Sequence, residues 1–332
     1  MNQMHNEILE SQTFEPSASE TSQVGRVISN AKLKKLQHVN SFIFTALGLT
    51  GIAVGVYRAL FVEALSMLTI GIFLTFFVLI GLGITAGFHR HFTHRSFKAK
   101  PAVRAALAIL GCMAGQGPVV FWVALHRMHH EYADKEGDPH SPNLSGTSVA
   151  QKAAGLWHAY LGWTVKHEVP NANFYARDIL RDPLVMAINR QYYVWVLLGL
   201  LLPAVVGGVL SQSVSGAIDG FVWGGLIRMF AVHNIIWWIT SFAHVFGKRD
   251  FESRDKSTNS GWIALPTLGE SWHNNHHAFP AAAILWFRWW QVDIAGGTIR
   301  LLELLGLAWD VRRPSASDLE RKRITKAAAT NL

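Results

Sequence analysis

The chain has 332 residues, of which 50% are hydrophobic and 16% are charged, and its mean hydropathy is +0.20. A soluble domain usually carries roughly 25% charged residues, so this composition argues against a soluble protein. The net charge of +8 would suit nucleic acid. However, the basic residues cluster beside apolar runs and form no stripe with interleaved aromatic residues. The sequence therefore predicts no nucleic-acid partner and favours an anionic membrane surface instead.

Residues 1–40 are predicted to form a polar, disordered tail without a secretory signal peptide. Four later segments are apolar over the roughly 17–25 residues that a membrane-crossing helix needs. They are about 41–57, 65–88, 192–210 and 217–242. A membrane domain is therefore expected over residues 41–313, followed by a polar C-terminal tail over 314–332.

The charges that flank these segments predict their orientation. Three lysines precede the first segment and Arg90 and Arg95 follow the second, whereas the loop between the last two has no Lys or Arg. Because cationic flanks mark the cytoplasmic side, both termini and the segment 89–190 are expected in the cytoplasm.

A fifth apolar stretch, 102–124, is interrupted by Gln116, Gly117 and Pro118 and lies between two histidine clusters. If it crossed the bilayer, those clusters would lie on opposite faces, so it is predicted to be buried or interfacial. The expected fold is an all-α integral membrane protein. Four transmembrane helices would carry a cytoplasmic helical cap that holds a histidine-rich di-metal site.

Most of the sixteen histidines fall in three short motifs, HRHFTH (89–94), HRMHH (126–130) and HNNHH (273–277). On a helix, positions i, i+3 and i+4 share a face, so three imidazoles there can converge on one or two metal ions. His89 and His94 are five positions apart, about 140° around an ideal α-helix. They are predicted not to share a face unless the helix breaks, and so to bind different ions or to straddle the end of the span.

The number of histidines narrows the choice of metal without deciding it. Imidazole suits Zn, Cu, Fe and Ni alike. A structural zinc site needs four ligands and is typically rich in cysteine, whereas this chain has one cysteine, Cys112. The histidines therefore favour two metal ions with open positions for O₂. Di-iron is the preferred interpretation, and two zinc ions remain open.

At these motifs the sequence resembles the membrane fatty acyl desaturases of the stearoyl-CoA desaturase type. The matching stretches are GITAGFHRHFTHRSFKA (83–99), HRMHHEYADKEGDPH (126–140), HNIIWWITSFAHVFG (233–247) and GESWHNNHHAFP (269–280). The resemblance implies that nine histidines hold two iron ions (Fe²⁺/Fe³⁺). These are His89, His94, His126, His129, His130, His244, His273, His276 and His277.

Two positions depart from that family. The family has an Asn four residues before the histidine that corresponds to His244, where it contacts one iron through water, and Thr240 stands there in this chain. An Arg-Asp pair that contacts the headgroup in the animal enzymes is replaced by Ala124 and Leu125, although Trp122 is kept. Recognition of coenzyme A in the same way is therefore in doubt, and a carrier protein or a lipid remains open as the acyl carrier.

The resemblance implies an O₂-dependent desaturase that introduces a cis double bond into a saturated acyl chain. Asp138, His140 and Glu270 are expected to orient the histidines, with Glu131 and Asp134 as further candidates. An acyl tunnel is expected along Phe77 and Gly81, and headgroup contacts at Trp122 and Lys166.

Electrons are expected from an external partner, either ferredoxin or a b-type cytochrome with its reductase. Basic residues on the cytoplasmic face could attract an acidic donor, namely Arg95, Lys98, Lys100 and Arg104. A hydroxylase that uses the same two irons is the nearest alternative. A membrane metal transporter is a distant one, because its ligands should lie near the bilayer midplane, where only His233 falls.

Overall fold

The computed structural model describes residues 25–324. A short strand, β1 (Val27–Ile28), precedes the first long helix, α1 (Ala31–Phe61). The side chain of Asn30 accepts hydrogen bonds from the first free backbone N–H groups of α1, which is why the helix begins there. The part of the predicted tail that lies within 25–40 thus forms a strand and three turns of helix. Residues 1–24 lie outside the described part of the chain.

The second long helix, α2 (Met67–Thr93), changes its hydrogen-bond register part of the way along. It begins at Ser66, whose hydroxyl accepts from the N–H of Thr69, and is α-helical to Leu82. From Gly83 to Thr93 it is π-helical, a wider form that is rare and often found at functional sites. This segment carries the first histidine motif.

After β2 (Lys98–Ala99), the ambiguous apolar stretch forms two separate helices, α3 (Pro101–Cys112) and α4 (Val119–Tyr132). Between them, Gly115 and Gly117 have φ angles of 77° and 100°, a region that favours glycine. Neither helix reaches the roughly 20 residues that span a bilayer. The stretch therefore makes no single membrane-crossing helix, as predicted.

Residues 149–190 follow α4 and form one helix, one strand and three short helices. Helix α5 comprises Val149–Trp157, a π-helical turn His158–Gly162 and Trp163–Lys166. Strand β3 (Val169–Pro170) pairs antiparallel with β1. Three short helices follow, α6 (Ala172–Tyr175), α7 (Arg177–Leu180) and α8 (Pro183–Arg190).

Two long helices come next, α9 (Tyr192–Ser211) and α10 (Val214–His244). Helix α10 is π-helical over Gly220–Ile227 and ends in a 3₁₀ turn, Phe242–His244. The remaining elements are α11 (His273–Ala278), α12 (Ile294–Leu304), β4 (Ala308–Trp309), which pairs with β2, and α13 (Ala316–Lys322). Part of the predicted C-terminal tail is thus a short helix, and residues 325–332 lie outside the described part of the chain.

Four helices are long and apolar enough to cross a membrane, namely α1, α2, α9 and α10. Each one contains or overlaps a segment that the sequence predicts to span. Within residues 25–324 the only sheets are the two-stranded pairs β1–β3 and β2–β4. The predicted all-α membrane fold is therefore confirmed, while the domain limits 41–313 stay a prediction.

Close packing holds the π-helical part of α2 against α3. A Cβ at Gly83 would collide with the backbone of Leu110 and Gly111, and one at Gly111 would collide with the ring of Phe88. Apolar side chains around Ile80, Ile84 and Phe88 are fully buried here. This contact positions the next residue along the chain, His89.

Candidate metal centre

The π-helical register brings His89 and His94 together. The backbone N–H of His94 donates to the carbonyl of His89 at 3.2 Å, an i to i+5 bond, and the two ring centroids lie 4.9 Å apart. Five residues make about 1.4 turns of an α-helix, which places the first and last on different faces. In the wider π-helix they make about one turn, so both lie on the same face. The predicted condition for sharing a face, a break in the α-helix, is thus met, and the two histidines lie in one cluster.

That cluster is called the five-histidine group and comprises His89, His94, His126, His130 and His276, whose ligand atoms lie within 4.8 Å of one another. The Nε2 atoms of His89 and His276 are 3.0 Å apart. Those of His276 and His130 are 2.9 Å apart, and those of His130 and His126 are 3.1 Å apart.

A second cluster, the four-histidine group, comprises His129, His244, His273 and His277, again with ligand atoms within 4.8 Å of one another. The Nε2 atoms of His244 and His273 lie 3.0 Å apart. All nine histidines implied by the resemblance thus fall into one group or the other. The second and third motifs each contribute to both groups. In each motif the first and last histidines, four positions apart, lie in the same group, and the histidine at i+3 lies in the other group.

The geometry fits metal ions. A ligand nitrogen lies about 2.1 Å from a transition metal, so two nitrogens at right angles around one ion are about 3.0 Å apart, close to the separations observed here. The Nε2 atoms of His94, His129 and His277 are buried without a hydrogen-bond partner in residues 25–324. Buried polar atoms are normally paired, and a bound ion would pair these.

Carboxylates accept a hydrogen bond from the other nitrogen of three of the rings, and a fourth ring has a carboxylate beside it. Asp138 accepts from Nδ1 of His129 at 2.9 Å, Asp134 from His244 at 3.0 Å and Asp255 from His277 at 2.6 Å. A carboxylate oxygen of Glu270 lies 2.7 Å from Nδ1 of His89. The three hydrogen bonds fix the tautomers of His129, His244 and His277 and leave Nε2 free for a metal.

The sequence identified these carboxylates only in part. Asp138 and Glu270 lie where they are predicted to lie, and so does Asp134, whereas Glu131 bonds Arg26 and Tyr175 instead. Asp255 was missed, because it stands in a polar loop with no motif around it. His140, which was predicted to orient a ligand, has its ring centroid 4.2 Å from that of His129, and its Nδ1 is buried without a hydrogen bond.

The protonation states of the histidines and carboxylates suit a bound cation. Burial, reinforced by the neighbouring imidazoles, holds the pKa well below 6.5 for His94, His126, His130, His273 and His276. Burial alone would favour an uncharged Asp138, but His129 lowers the pKa of that carboxyl to about 2. Neutral imidazoles beside ionised carboxylates are the protonation states that metal binding requires.

A buried ion-pair network adjoins the five-histidine group through Glu270, which contacts both His89 and Arg90. The guanidinium of Arg90 donates to Glu270 and to both carboxylate oxygens of Asp293 at 2.9 Å. All three side chains are buried. Sequence reasoning missed this network, since Arg90 was interpreted only as a charge flanking a span.

The two asparagines of the third motif are structural. The side chain of Asn274 accepts from the N–H groups of Asp250 and Phe251, and Asn275 bonds Asn259. These bonds tie α11 to the loop that follows α10. The remaining histidine of the first motif, His91, bonds the carbonyl of Phe97 and belongs to neither group.

Thr240 lies one turn before His244. Its hydroxyl donates to the carbonyl of Ala159 at 2.8 Å, with the carbonyl of Trp237 at 3.1 Å as the alternative acceptor. The hydroxyl hydrogen is therefore directed at the backbone. The role of Thr240 in holding a water ligand stays a prediction.

An apolar cavity of about 400 Å³ adjoins the five-histidine group. Trp122 forms part of its wall and stacks on His126 with 5.0 Å between ring centroids. The other walls come from α1, the turn between α3 and α4, and parts of α5, α9 and α10. Phe77, Gly81 and Lys166 do not line it, and Gly81 packs against Leu268. Their roles as tunnel or headgroup residues stay predictions.

The basic residues after the first motif are mostly neutralised. Arg95 pairs with Asp178, Lys98 with Asp310 and Arg104 with Asp182. Their use as a donor-binding surface, together with Lys100, stays a prediction.

Taken together, the fold and the site define an α-helical membrane protein with two adjacent histidine clusters that could each hold a metal ion. A family model described as fatty acid desaturase matches residues 63–296. The chain is 44% identical over 314 residues to the hex-5-enoyl-[acyl-carrier protein] acetylenase of Moorena producens, covering 94% of this chain and 97% of that protein.

Similarity extends to acyl-lipid enzymes. The chain is 33% identical to the sn-1 stearoyl-lipid 9-desaturase of Anabaena variabilis, covering 86% of this chain and 97% of that protein. It is 35% identical to the delta-9 acyl-lipid desaturase 1 of Arabidopsis thaliana, covering 74% of this chain and 76% of that protein. The chain belongs to the fatty acid desaturase family and is an oxidoreductase.

Proposed function

We propose that this protein is an O₂-dependent acyl desaturase that binds two iron ions, one in each histidine group. The proposal rests above all on the division of nine buried or half-buried histidines into two adjacent sets whose ligand nitrogens converge. Two iron ions, when bound, supply the oxidising power that removes hydrogens from unactivated methylenes, using O₂ and two external electrons. A ferredoxin or a b-type cytochrome with its reductase is the proposed source of those electrons.

The protein's own residues would position the acyl chain. Trp122 lines the apolar cavity, and its ring centroid lies 5.0 Å from that of His126 and 6.2 Å from that of His89. A chain lying in this cavity would pass beside the five-histidine group and be shielded from water. Holding one methylene pair near the metal centre accounts for a defined double-bond position, because proximity sets which carbon reacts.

We further propose that the histidine groups and both termini face the cytoplasm. The Lys and Arg residues that flank α1 and α2 support this orientation. An even number of spans separates the second histidine motif from the third, so both return to the same face.

A second candidate reaction is the conversion of an existing double bond to a triple bond. It is favoured by the acetylenase from Moorena producens, whose similarity extends over 94% of this chain. Removal of two more hydrogens uses the same oxidant and the same electrons, so the site itself does not distinguish the two reactions. Hydroxylation by the same metal centre would give a product with one added oxygen.

The test is co-expression with a ferredoxin and its reductase, followed by analysis of metal content and of all acyl products. We expect two irons per chain and a new monoene, or an alkyne when an alkenoyl substrate is supplied. The variant His129→Ala is the control and should make neither product. Unchanged acyl profiles with a working donor, or an alcohol as the sole product, would refute the proposal.

A further inference from the structure

Five large apolar side chains are exposed on the two segments that lie before and after the third histidine motif. Trp262 and Leu265 precede the motif and are 68% and 66% exposed. Trp289, Trp290 and Val292 follow it and are 95%, 49% and 47% exposed. None of the five belongs to the four long helices. A large exposed apolar patch marks an interaction site, and we call these five residues the apolar collar.

Trp272 joins the two parts of the apolar collar. Its Nε1 donates to the carbonyl of Val292 at 2.7 Å, and its ring centroid lies 5.4 Å from that of Trp290. On the other side, a Cβ at Gly261 would lie 3.1 Å from the Trp272 ring. The two segments are thus neighbours in space, although the third motif separates them in the sequence. The collar is therefore one patch.

The first part of the collar reaches the level of a membrane-spanning helix. The ring of Trp262 packs against that of Phe242 in the last turn of α10, with 6.5 Å between centroids. A Cβ at Gly81 would lie 2.7 Å from Cδ1 of Leu268. Gly81 lies near the middle of α2, roughly 10 Å closer to the centre of the span than His89. The chain between Trp262 and Leu268 thus runs from the end of α10 to the middle of α2.

Residues 261–268, GWIALPTL, have the composition and hydrogen bonds that contact with lipid requires. They contain no charged side chain, and their exposed large side chains are those of the collar. Backbone at membrane depth must have its polar groups bonded within the protein. Pro266 has no N–H. Three further N–H groups donate to carbonyls within the segment, those of Ala264, Thr267 and Leu268.

The second part of the collar resembles a membrane–water interface. Tryptophan is enriched there because its ring is apolar and its N–H is polar. Arg288 precedes the two exposed tryptophans and is itself exposed, although it pairs with Asp250. Lys248 is also exposed, and its backbone is bonded to that of Asn259, close to the start of residues 261–268. Cations beside aromatic residues suit contact with lipid phosphates.

The depth of the collar favours lipid over a protein as its occupant. A soluble protein could cover the tryptophans at 289 and 290. It could not reach Leu265, whose carbonyl accepts from the N–H of Leu268 beside the middle of α2. Through Phe242 and Gly81 the collar is also continuous with the surfaces of α10 and α2, which cross the membrane.

From this placement we infer that the apolar collar is immersed in the membrane leaflet nearest the histidine groups. Residues 261–268 form a re-entrant segment that enters the hydrocarbon and leaves it on the same side. Trp289, Trp290 and Val292 lie at the level of the lipid headgroups. The third histidine motif, which lies between these two parts, is thereby held against the bilayer. This inference rests on the membrane fold and not on the proposed reaction.

The test places one fluorophore at a time on the full-length protein, in nanodiscs of phosphatidylcholine and phosphatidylglycerol that hold one copy each. Leu265→Cys, Trp289→Cys and the control Lys135→Cys are labelled separately. Lys135 is exposed in the polar loop after α4. Cys112 is the chain's one cysteine and is fully buried, so the introduced thiol is the one that reacts. The unchanged protein, treated in the same way, measures any label on Cys112.

Emission is measured with two quenchers, a lipid with a nitroxide on its acyl chain and iodide in the water. The lipid nitroxide should reduce emission from the labels at 265 and 289 at least about twofold, because both positions lie in the leaflet. Iodide should leave these two labels nearly unchanged. A nitroxide deep in the chain should quench the label at 265 more, and one near the headgroup the label at 289. The label at 135 should respond to iodide alone.

Because the collar side chains are exposed, these substitutions should leave the thermal unfolding midpoint unchanged. Trp262→Cys and Val292→Cys replace Leu265→Cys and Trp289→Cys if either one lowers it. Quenching of the collar labels by iodide would show that the collar faces water and would overturn the inference. Quenching by neither agent would show that protein covers the collar and would overturn it as well. Lipid quenching at 289 without quenching at 265 would overturn the re-entrant segment.

Discussion

The two histidine groups are held in place by different means. In the four-histidine group, three of four rings donate to a carboxylate, namely Asp134, Asp138 or Asp255. Within residues 25–324, only one ring of the five-histidine group has a carboxylate beside it, namely His89 with Glu270. The other four rings are placed chiefly by the helices that carry them.

This difference follows from where each group lies. The five-histidine group lies where π-helical α2 faces α4, and packed helices fix the direction of their side chains. The four-histidine group draws His244 from the end of α10 and His273 and His277 from the short helix α11. Loops and short helices restrain side chains less, which agrees with the carboxylates that orient His244 and His277. His129 on α4 also has a carboxylate, and Nδ1 of His276 on α11 has no partner within residues 25–324.

The largest expected effect comes from removing one ligand from each group. His276→Ala and His129→Ala should each reduce bound iron from two ions to about one per chain and lower desaturation more than 100-fold, since even outer partners of metal ligands change affinity by 10–100-fold. Metal analysis and product formation measure both outcomes. His91→Ala is the control, because His91 belongs to neither group. Retention of both irons in either variant would remove that histidine from the ligand set.

A large effect on stability is expected for Glu270→Gln. The substitution leaves buried Arg90 with only Asp293 as a charged partner, and breaking a buried pair costs about 3–5 kcal/mol. Thermal unfolding in detergent should show a lower midpoint than for Asp318→Asn, whose carboxylate pairs with Arg321 at the surface. An equal midpoint in the two variants would contradict a supporting role for the buried network.

The comparison between the groups is tested directly by Asp255→Asn. This change weakens the acceptor of His277 and should reduce metal affinity of the four-histidine group by about 10-fold. Both proteins are dialysed against graded concentrations of chelator. The variant should lose one iron at a lower concentration than the unchanged protein does and should keep the other iron at that concentration. Simultaneous loss of both irons would show that the groups are not independently held.

The smallest effect is expected for Thr240→Asn. Asparagine extends further than threonine and need not bond the Ala159 carbonyl, and it is the residue that the resembled family has at this position. We expect iron retention in that group to rise by no more than about threefold, because the gain is one water-mediated contact. Ser241→Asn, one position along the same helix, is the control. A large loss of iron would instead show that the Thr240 bond is needed for the fold.

Much of this protein could be predicted from local patterns. The length of an uninterrupted apolar run indicates a span, and α1, α2, α9 and α10 lie where those runs lie. The spacing in HRMHH and HNNHH likewise indicates shared helix faces. The resemblance then added His244, which no local pattern would have singled out.

The tertiary structure decided which histidines belong together. His89 and His94 share a group because α2 is π-helical there, and neither this register nor the close packing of α2 against α3 is indicated by the histidine spacing. Asp255 and His277 meet across 22 residues of chain, and Arg90 and Asp293 across 203. Pairings of this kind depend on how distant segments pack, and this is the physical reason that a one-dimensional pattern cannot assign them.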